Sequence, residues 1–247
     1  MSGAGKHVVV NRAKNRFATQ IDWLDSHHSF SFGHHYHPAN THHGLLMVNN
    51  DDRVRAGNGF GTHPHRDMEI VTWVLSGELE HRDSEGHHGV LYPGLAQRMS
   101  AGTGIFHSEM NPSRSTDAHF IQMWVPPDER GIAPGYQQLD INAQLAKGGL
   151  VPIASGQGHD AAITIHQRDA VLWGARLVPG EKALVPAARF AHVFVALGDT
   201  DFDAAGAEPT HLEAGDGVRL TESDAWLTAG PTGAEILIWV SGSEAVV

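Results

Sequence analysis

Cysteine is absent from this chain of 247 residues, and several other features are scarce. Without thiols there is no disulfide framework, no thiolate metal site and no cysteine nucleophile. Lysine and arginine number 17 against 28 aspartates and glutamates, a formal net charge of -11, so no excess of positive charge is available to neutralise nucleic-acid phosphates. No apolar run has the length of a membrane span. These absences disfavour thiol chemistry, direct nucleic-acid binding and membrane insertion.

The N-terminal segment, residues 1–11, contains one apolar run that is too short for the core of a secretory signal. We therefore expect a cytoplasmic protein, and we expect a monomer.

Long helical periodicity is also missing, and residues 141–146 are the best short helix candidate. Short runs of β-branched and aromatic residues dominate instead, separated by Gly, Pro and Asp. Residues 69–75 and 78–83, joined by Ser76 and Gly77, predict a hairpin. Many short strands of this kind predict an all-β sandwich or barrel. The further strand candidates are residues 45–49, 97–100, 119–125, 162–166, 171–177, 192–197 and 235–240.

A faint internal repeat divides the chain into two similar halves. Residues 120–126 resemble residues 235–241, and residues 71–77 resemble residues 192–198, at offsets of about 115 to 121 positions. A segment rich in proline lies between the halves and cannot continue a strand. We therefore predict two domains, residues 1–130 and 131–247.

Four side chains of the first half have the spacing of a metal site. His63 and His65 are two residues apart, and so are His107 and Glu109. Successive side chains of a β-strand point to opposite faces, so each pair shares one face, and two such strands facing each other would make a four-ligand pocket. Imidazoles and a carboxylate suit Fe, Cu, Ni, Mn or Zn. The second half has no such pair, which assigns any metal to the first half.

Most of the other histidines, out of 19, need no chemistry to explain them. Those between residues 27 and 43 lie in a polar segment with Gly and Asn, which favours a solvated loop. The alternative for this segment is a lid over the metal site.

The motifs as a whole resemble the pirin family, a branch of the cupins. The likeness covers most of the chain and is strongest in the first half. The residues that carry it are HPHRDME (63–69), EHRDS (80–84), MSAGTGIFHSEMN (99–111), WLDSHHSFSF (23–32) and GIAP (131–134).

This resemblance implies a bicupin, two jelly-roll-like β-barrels packed face to face, with one metal in the N-terminal domain. The family's ligands fall on His63, His65, His107 and Glu109. Cupins in general would use Glu69, at the end of H-x-H-x-x-x-E, so Glu69 remains the alternative carboxylate ligand. The resemblance implies iron as the metal, with Cu, Ni, Mn, Zn or Co also acceptable.

The resemblance also implies a quercetin 2,3-dioxygenase, which opens the heterocyclic ring of a flavonol with dioxygen and releases carbon monoxide. Glu109 would then act as the base that removes the proton of the substrate hydroxyl, besides binding the metal. A flat flavonol needs an apolar pocket, for which Met47, Phe60, Met123 and Trp124 are candidates, although core packing is the better explanation for any one of them.

Two polar residues near the motifs, His81 and Asn111, are candidates for hydrogen bonds that orient the ligands. The alternative function is a metal-binding regulatory protein that contacts a protein partner and shows no significant turnover, as some pirins do. A third possibility is a metal that only stabilises the fold.

Overall fold

The structure, a computed structural model, describes residues 7–160 and 163–246. Strands make up 57% of it and helix 3%, which confirms the all-β prediction. The predicted helix is a single turn, α1 (Asn142–Leu145), and a 3₁₀ turn covers Ala13–Asn15. Within the described ranges, no helix has the length and apolar character needed to cross a membrane.

Twenty strands lie within the described residues, and most of the predicted strands fall inside them. The start of the predicted strand 162–166 lies outside the described residues, and the prediction for 45–49 is largely wrong because the chain there turns at a bridge between His43 and Leu46. The strands are β1 (His7–Asn11), β2 (Phe17–Ile21), β3 (Leu24–His28), β4 (Val48–Val54), β5 (Gly59–His65), β6 (Glu69–Ser76), β7 (Leu79–Asp83), β8 (His88–Leu91), β9 (Leu95–Ser100), β10 (Ile105–Met110), β11 (Ala118–Val125), β12 (Gly135–Asp140), β13 (Val151–Ser155), β14 (Ile163–Thr164), β15 (Ala170–Leu177), β16 (Lys182–Leu184), β17 (Phe190–Ala204), β18 (Thr210–Glu213), β19 (Gly217–Thr221) and β20 (Ala225–Ser241).

The first half is a sandwich of two sheets. Seven strands form the larger sheet in the order β12-β9-β6-β11-β4-β3-β2, and four form the smaller one in the order β5-β10-β7-β8. The inner strands of the larger sheet are buried on both faces, because one face meets the smaller sheet and the other meets the second half of the chain. Strand β6, for example, is buried from Glu69 to Leu75 and leaves no face for solvent.

The hairpin predicted from residues 69–83 is wrong. Strands β6 and β7 belong to different sheets and do not pair with each other. The corner between them passes through Gly77, whose φ of 73° is a left-handed conformation that glycine adopts without strain. Since β6 is apolar on both faces, it is stabilised between β9 and β11 rather than at the edge of a two-stranded ribbon.

The second half is built on one sheet of nine strands, with the path β1-β19-β17-β20-β15-β13-β14 and with β16 and β18 paired alongside β20 and β17. Buried apolar side chains form its inner core, among them Val193, Phe202, Leu227 and Ile238.

The predicted repeat corresponds to two antiparallel strand pairs, β6 with β11 and β17 with β20. Trp73 from the first pair and Phe194 and Leu237 from the second share one buried cluster, so the two halves pack face to face. The Trp73 indole N–H donates to Glu235 across this contact at 2.6 Å.

Each half also contributes a strand to the sheet of the other. β1 pairs with β19 of the second half, and β12 pairs with β9 of the first. The division at residue 130 remains a prediction, while the pairing shows that the polypeptide crosses between the two sheets at each end of the first half.

Candidate metal centre

Three of the four predicted ligands converge on one point. Strands β5 and β10 are antiparallel neighbours, and His63 lies directly opposite His107. His65 shares the face of His63, and the ligand nitrogens of the three imidazoles all lie within 4.8 Å of one another. The strands thus present these side chains as hydrogen-bonded neighbours in one sheet, not from two sheets facing each other.

A β-bulge completes this face. His107 pairs with His63, but Glu109 pairs with Phe60, so β5 has one residue more than β10 between the two pairs. The bulge requires close backbone approach at Gly59, where a Cβ would meet the Glu109 carbonyl oxygen at 2.3 Å. A glycine at this position therefore allows the two strands to meet where the carboxylate leaves β10.

The hydrogen bonds of the imidazoles leave their Nε2 atoms available. His63 Nδ1 lies 2.7 Å from the Gly61 carbonyl oxygen, which only accepts, so Nδ1 carries the proton and Nε2 the lone pair. In the described chain, the Nε2 atoms of His65 and His107 are buried without a hydrogen-bond partner. Buried polar atoms without partners are rare and costly, and three convergent lone pairs of this kind fit a bound metal ion.

Burial also keeps two of these imidazoles neutral. It lowers the pKa of His65 to about 4, with the neighbouring His107 and His63 adding to the effect. It lowers the pKa of His107 to about 3, with further contributions from His63 and His81. Since only neutral imidazole binds a metal, both side chains are ready to do so at neutral pH.

His81 lies directly behind His107, as expected for a residue that orients a ligand. It is 1% exposed, and its Nδ1 lies 3.4 Å from His107 Nδ1. Its Nε2 lies 3.1 Å from a carboxylate oxygen of Asp83. In neutral His81 the proton is therefore on Nε2, Nδ1 accepts, and His107 Nδ1–H donates, which leaves His107 Nε2 as the free ligand atom.

Glu109 faces the same cavity as His63 and His65 but lies outside the compact group of three. Gln122 Nε2 donates to one of its carboxylate oxygens at 2.7 Å, and Thr72 Oγ1 donates to the other at 3.4 Å. Both donors project from the opposite sheet and fix the orientation of a carboxylate that is 3% exposed. We did not identify Gln122 or Thr72 from the sequence, although a polar residue within an otherwise apolar strand was the available signal.

Glu69, the alternative ligand, lies elsewhere. The strand alternation places it with Trp73 on the face of β6 that meets the second half of the chain. Its carboxylate accepts from Ser100 Oγ at 2.9 Å and from the His166 backbone N–H at 3.0 Å. The chain leaves β5 after His65 and enters another sheet at Glu69, so the two residues do not continue one regular strand.

Asn111, the second candidate for orienting a ligand, has a structural role instead. Its Nδ2 donates to the carbonyl oxygens of Val54 and Thr116, and its Oδ1 accepts from the Ser113 backbone N–H. These bonds close the loop after β10.

A cavity of about 450 Å³ opens from the metal centre between the two sheets of the first half. Of the four predicted pocket residues, Phe60 and Trp124 line it, and Trp124 packs edge-on against His65 with ring centroids 4.9 Å apart. Met47 is not among the lining residues, and Met123 is buried on the opposite face of its strand.

Part of the histidine-rich segment also borders this cavity. Phe32, Gly33 and His34 form part of its wall. This part of the segment therefore fits the interpretation as a lid better than the interpretation as a solvated loop. His28 lies deeper and is 2% exposed. Together with Ser26, Asn50 and Asp52 it lines the cavity, a role that the sequence pattern of these four residues does not indicate.

Two family models match the chain, "Pirin" over residues 10–125 and "Quercetinase C-terminal cupin domain" over residues 152–239. A quercetin 2,3-dioxygenase of Escherichia coli is 36% identical over 234 residues, which cover 94% of this chain and 97% of that protein. A Mycobacterium tuberculosis relative, whose name assigns the same activity only provisionally, is 55% identical over 94% of both chains. The chain belongs to the pirin family.

The pirin fold extends over the whole molecule. The crystal structure of the bacterial pirin YhhW from Escherichia coli in complex with nickel(II) has a TM-score of 0.85 and 33% identity, and the match covers 97% of this chain and 100% of that one. A quercetin 2,3-dioxygenase from Acinetobacter baumannii has a TM-score of 0.74 at 22% identity, a likeness of fold alone. This chain is therefore a pirin with two cupin domains, as the resemblance implied.

Proposed function

We propose that this pirin is a metal-dependent dioxygenase that opens the heterocyclic ring of flavonol-like substrates. The observation that carries the proposal is the group of three imidazoles with free Nε2 atoms, opening together with Glu109 into a cavity with aromatic walls. A volume of about 450 Å³ is within the usual range for sites that bind molecules of this size. The activity named for the Escherichia coli relative supports the same chemistry.

We infer that His63, His65 and His107 hold one divalent metal ion and that Glu109 is its fourth ligand. Iron is our first choice, and the nickel complex of the related YhhW supports a site that accepts more than one metal. Bound there, a divalent ion supplies Lewis acidity, which lowers the pKa of a coordinated hydroxyl group.

Glu109 would accept the proton of the flavonol 3-hydroxyl. Its carboxylate is held in orientation by hydrogen bonds from Gln122 and Thr72. A flavonol anion is electron-rich enough to react with dioxygen, whereas the neutral hydroxyl compound is not. The proton would remain on a carboxylate oxygen of Glu109 during this step.

The cavity walls position the substrate and exclude water. Trp23 and Phe60 pack edge to face at 5.3 Å, and Phe32 and Trp124 do so at 5.6 Å. All four rings line the cavity, which offers far more apolar than polar surface. A flat, largely apolar ligand with a few hydroxyl groups matches these walls.

The test is oxygen uptake and carbon monoxide release by the iron-loaded protein with quercetin. We expect turnover in the wild type, loss of metal and turnover in His63→Ala, and a rate reduced by about 100-fold or more in Glu109→Gln, the usual range for a lost general base. Glu69→Gln is the matched control, since it alters a buried carboxylate of the same domain that does not face the cavity. Its rate should stay within a few-fold of the wild type.

The same assay separates the alternatives. A regulatory pirin without significant turnover would bind metal and consume no oxygen, and Glu109→Gln would leave its behaviour unchanged. A metal that only stabilises the fold would raise the thermal midpoint without creating a site for quercetin. Either result would refute the dioxygenase proposal.

A further inference from the structure

Among the polar side chains that line the cavity on the sheet opposite the histidines, four lie on the adjacent strands β3 and β4. Ser26 and His28 project from β3, and Asn50 and Asp52 from β4. In the antiparallel register Ser26 lies opposite Asp52 and His28 opposite Asn50, so all four share one face. Each is 3% exposed or less. We call these four residues the polar quartet.

Apolar side chains would serve the fold better at these positions. The same face continues with buried Leu24 on β3 and buried Val54 on β4. Burying polar groups reduces stability unless they are fully hydrogen-bonded, so a polar quartet at the wall of a cavity indicates a role in binding.

The quartet leaves one acceptor and one donor without partners. His28 Nδ1 lies 2.9 Å from Asn50 Oδ1, and His28 Nε2 lies 2.9 Å from Thr19 Oγ1. The Ser26 hydroxyl donates to Asp52 Oδ1. Among residues 7–160 and 163–246, Asp52 Oδ2 receives no further donor and Asn50 Nδ2 finds no acceptor.

An acceptor and a donor two residues apart on one face of β4 match one hydroxyl group. The hydroxyl hydrogen is donated to Asp52, and the hydroxyl oxygen accepts from Asn50 Nδ2. Both atoms keep some contact with solvent, as expected for atoms that face the cavity. Burial also raises the pKa of Asp52 to about 7, so near neutral pH its carboxyl group can either accept or donate a hydrogen bond.

We propose that Asp52 and Asn50 determine substrate specificity by binding a hydroxyl group of the substrate other than the one that binds the metal. The inference rests on the proposed function and deepens it. The pocket would select planar aromatic compounds that carry one metal-binding enol and a further hydroxyl group.

The test compares quercetin with 3-hydroxyflavone, which keeps the 3-hydroxyl and the neighbouring carbonyl but lacks the other hydroxyl groups. Binding to the nickel-loaded protein is measured by quenching of tryptophan fluorescence. We expect the wild type to bind quercetin at least about tenfold more tightly, and Asp52→Leu to lose about 10- to 100-fold for quercetin, the usual effect of a lost hydrogen bond to a charged group. Binding of 3-hydroxyflavone should change by less than about twofold.

Asp52→Asn is the second variant, in case leucine disturbs folding, and it should show the same selective loss. Asp51→Asn is the matched control, because Asp51 precedes Asp52 on β4 but points to the opposite face, where it contacts Arg16 and His119. Its affinity for both compounds should equal that of the wild type.

Equal weakening of both compounds, no change in either, or failure of the wild type to bind quercetin would overturn the inference. Oxygen uptake by the iron-loaded form of the same variants with the same two compounds distinguishes it from the proposed function. Selective binding that depends on Asp52, without oxygen consumption, would refute the dioxygenase and support the specificity site.

Discussion

Replacement of His81 by alanine should weaken metal binding without touching a ligand. In the folded protein His81 Nδ1 accepts the Nδ1–H of His107 at 3.4 Å, which holds that ring with Nε2 towards the metal. Without this acceptor the His107 ring can turn so that its N–H finds another partner. Metal binding must then restore the original orientation of the ring. The Asp83 carboxylate keeps most of its hydrogen bonds in this variant, because His87 also donates to it through its backbone N–H and its ring.

The size of the effect follows from the lost bond. A buried group deprived of its hydrogen-bond partner costs about 1–3 kcal/mol, which corresponds to a roughly 5- to 150-fold increase in Kd. Loss of an outer partner of a metal ligand commonly costs about 10- to 100-fold. We therefore expect His81→Ala to raise the Kd for Ni²⁺ by about 10- to 100-fold, measured by competition with a chromophoric chelator.

A matched control separates orientation from general destabilisation. His119 is 5% exposed and contacts the Asp51 carboxylate at 2.7 Å, but it lies on the face of the larger sheet that points away from the cavity. His119→Ala should lower the thermal midpoint by about as much as His81→Ala does, and it should leave the Kd for Ni²⁺ unchanged. The reasoning is refuted if His81→Ala binds Ni²⁺ within about twofold of the wild type, or if His119→Ala loses as much affinity.

Three further predictions use the same preparation. Gly59→Ala should weaken Ni²⁺ binding and destabilise the fold by about 1–3 kcal/mol, because its Cβ would lie 2.3 Å from a carbonyl oxygen of β10, whereas Gly61→Ala, with nothing within 4 Å, should change neither. Since burial holds the pKa of His65 at about 4 and that of His107 at about 3, Ni²⁺ affinity should fall by no more than about tenfold between about pH 7.5 and pH 5.5. Three imidazoles of ordinary pKa would lose about a thousandfold, and a loss of that size would contradict the burial argument. Burial raises the pKa of Asp52 to about 7, so the contribution of its protonated form to stability is present below about pH 4 and is lost as the pH rises towards 7. Asp52→Asn should therefore raise the urea midpoint of the metal-free protein at about pH 8 but not at about pH 4. The opposite trend would show that the carboxyl group is not buried.

Local pattern was sufficient to group the candidate ligands. Side chains two apart on a strand share a face whatever the strand pairs with, so His63 with His65, and His107 with Glu109, could be grouped from their spacing alone. The same local rule failed for Glu69. Its spacing from His65 suggested one face, but a turn between them transfers the chain to another sheet, and the side chain contacts His166 of the other domain.

The hairpin prediction failed for a related reason. Residues 69–83 contain two strand patterns and a glycine turn, which is all that a hairpin requires at the level of sequence. Whether the strands then pair depends on their other neighbours. Strand β6 is buried on both faces and gains more from β9 and β11 than from β7, a comparison between distant segments that no local window contains.

The sequence by itself determined the class of the fold, the repeat of two similar halves, the residues able to bind a metal and the resemblance to the pirins. It did so because strand periodicity and ligand chemistry are properties of a few neighbouring residues. The tertiary structure alone decided which imidazole nitrogens are free, that His81 orients His107, that Gln122 and Thr72 hold Glu109, and that a polar quartet faces the metal across the cavity. Each of these depends on contacts between strands far apart in the chain, which form only when the two sheets of the first domain close around one site.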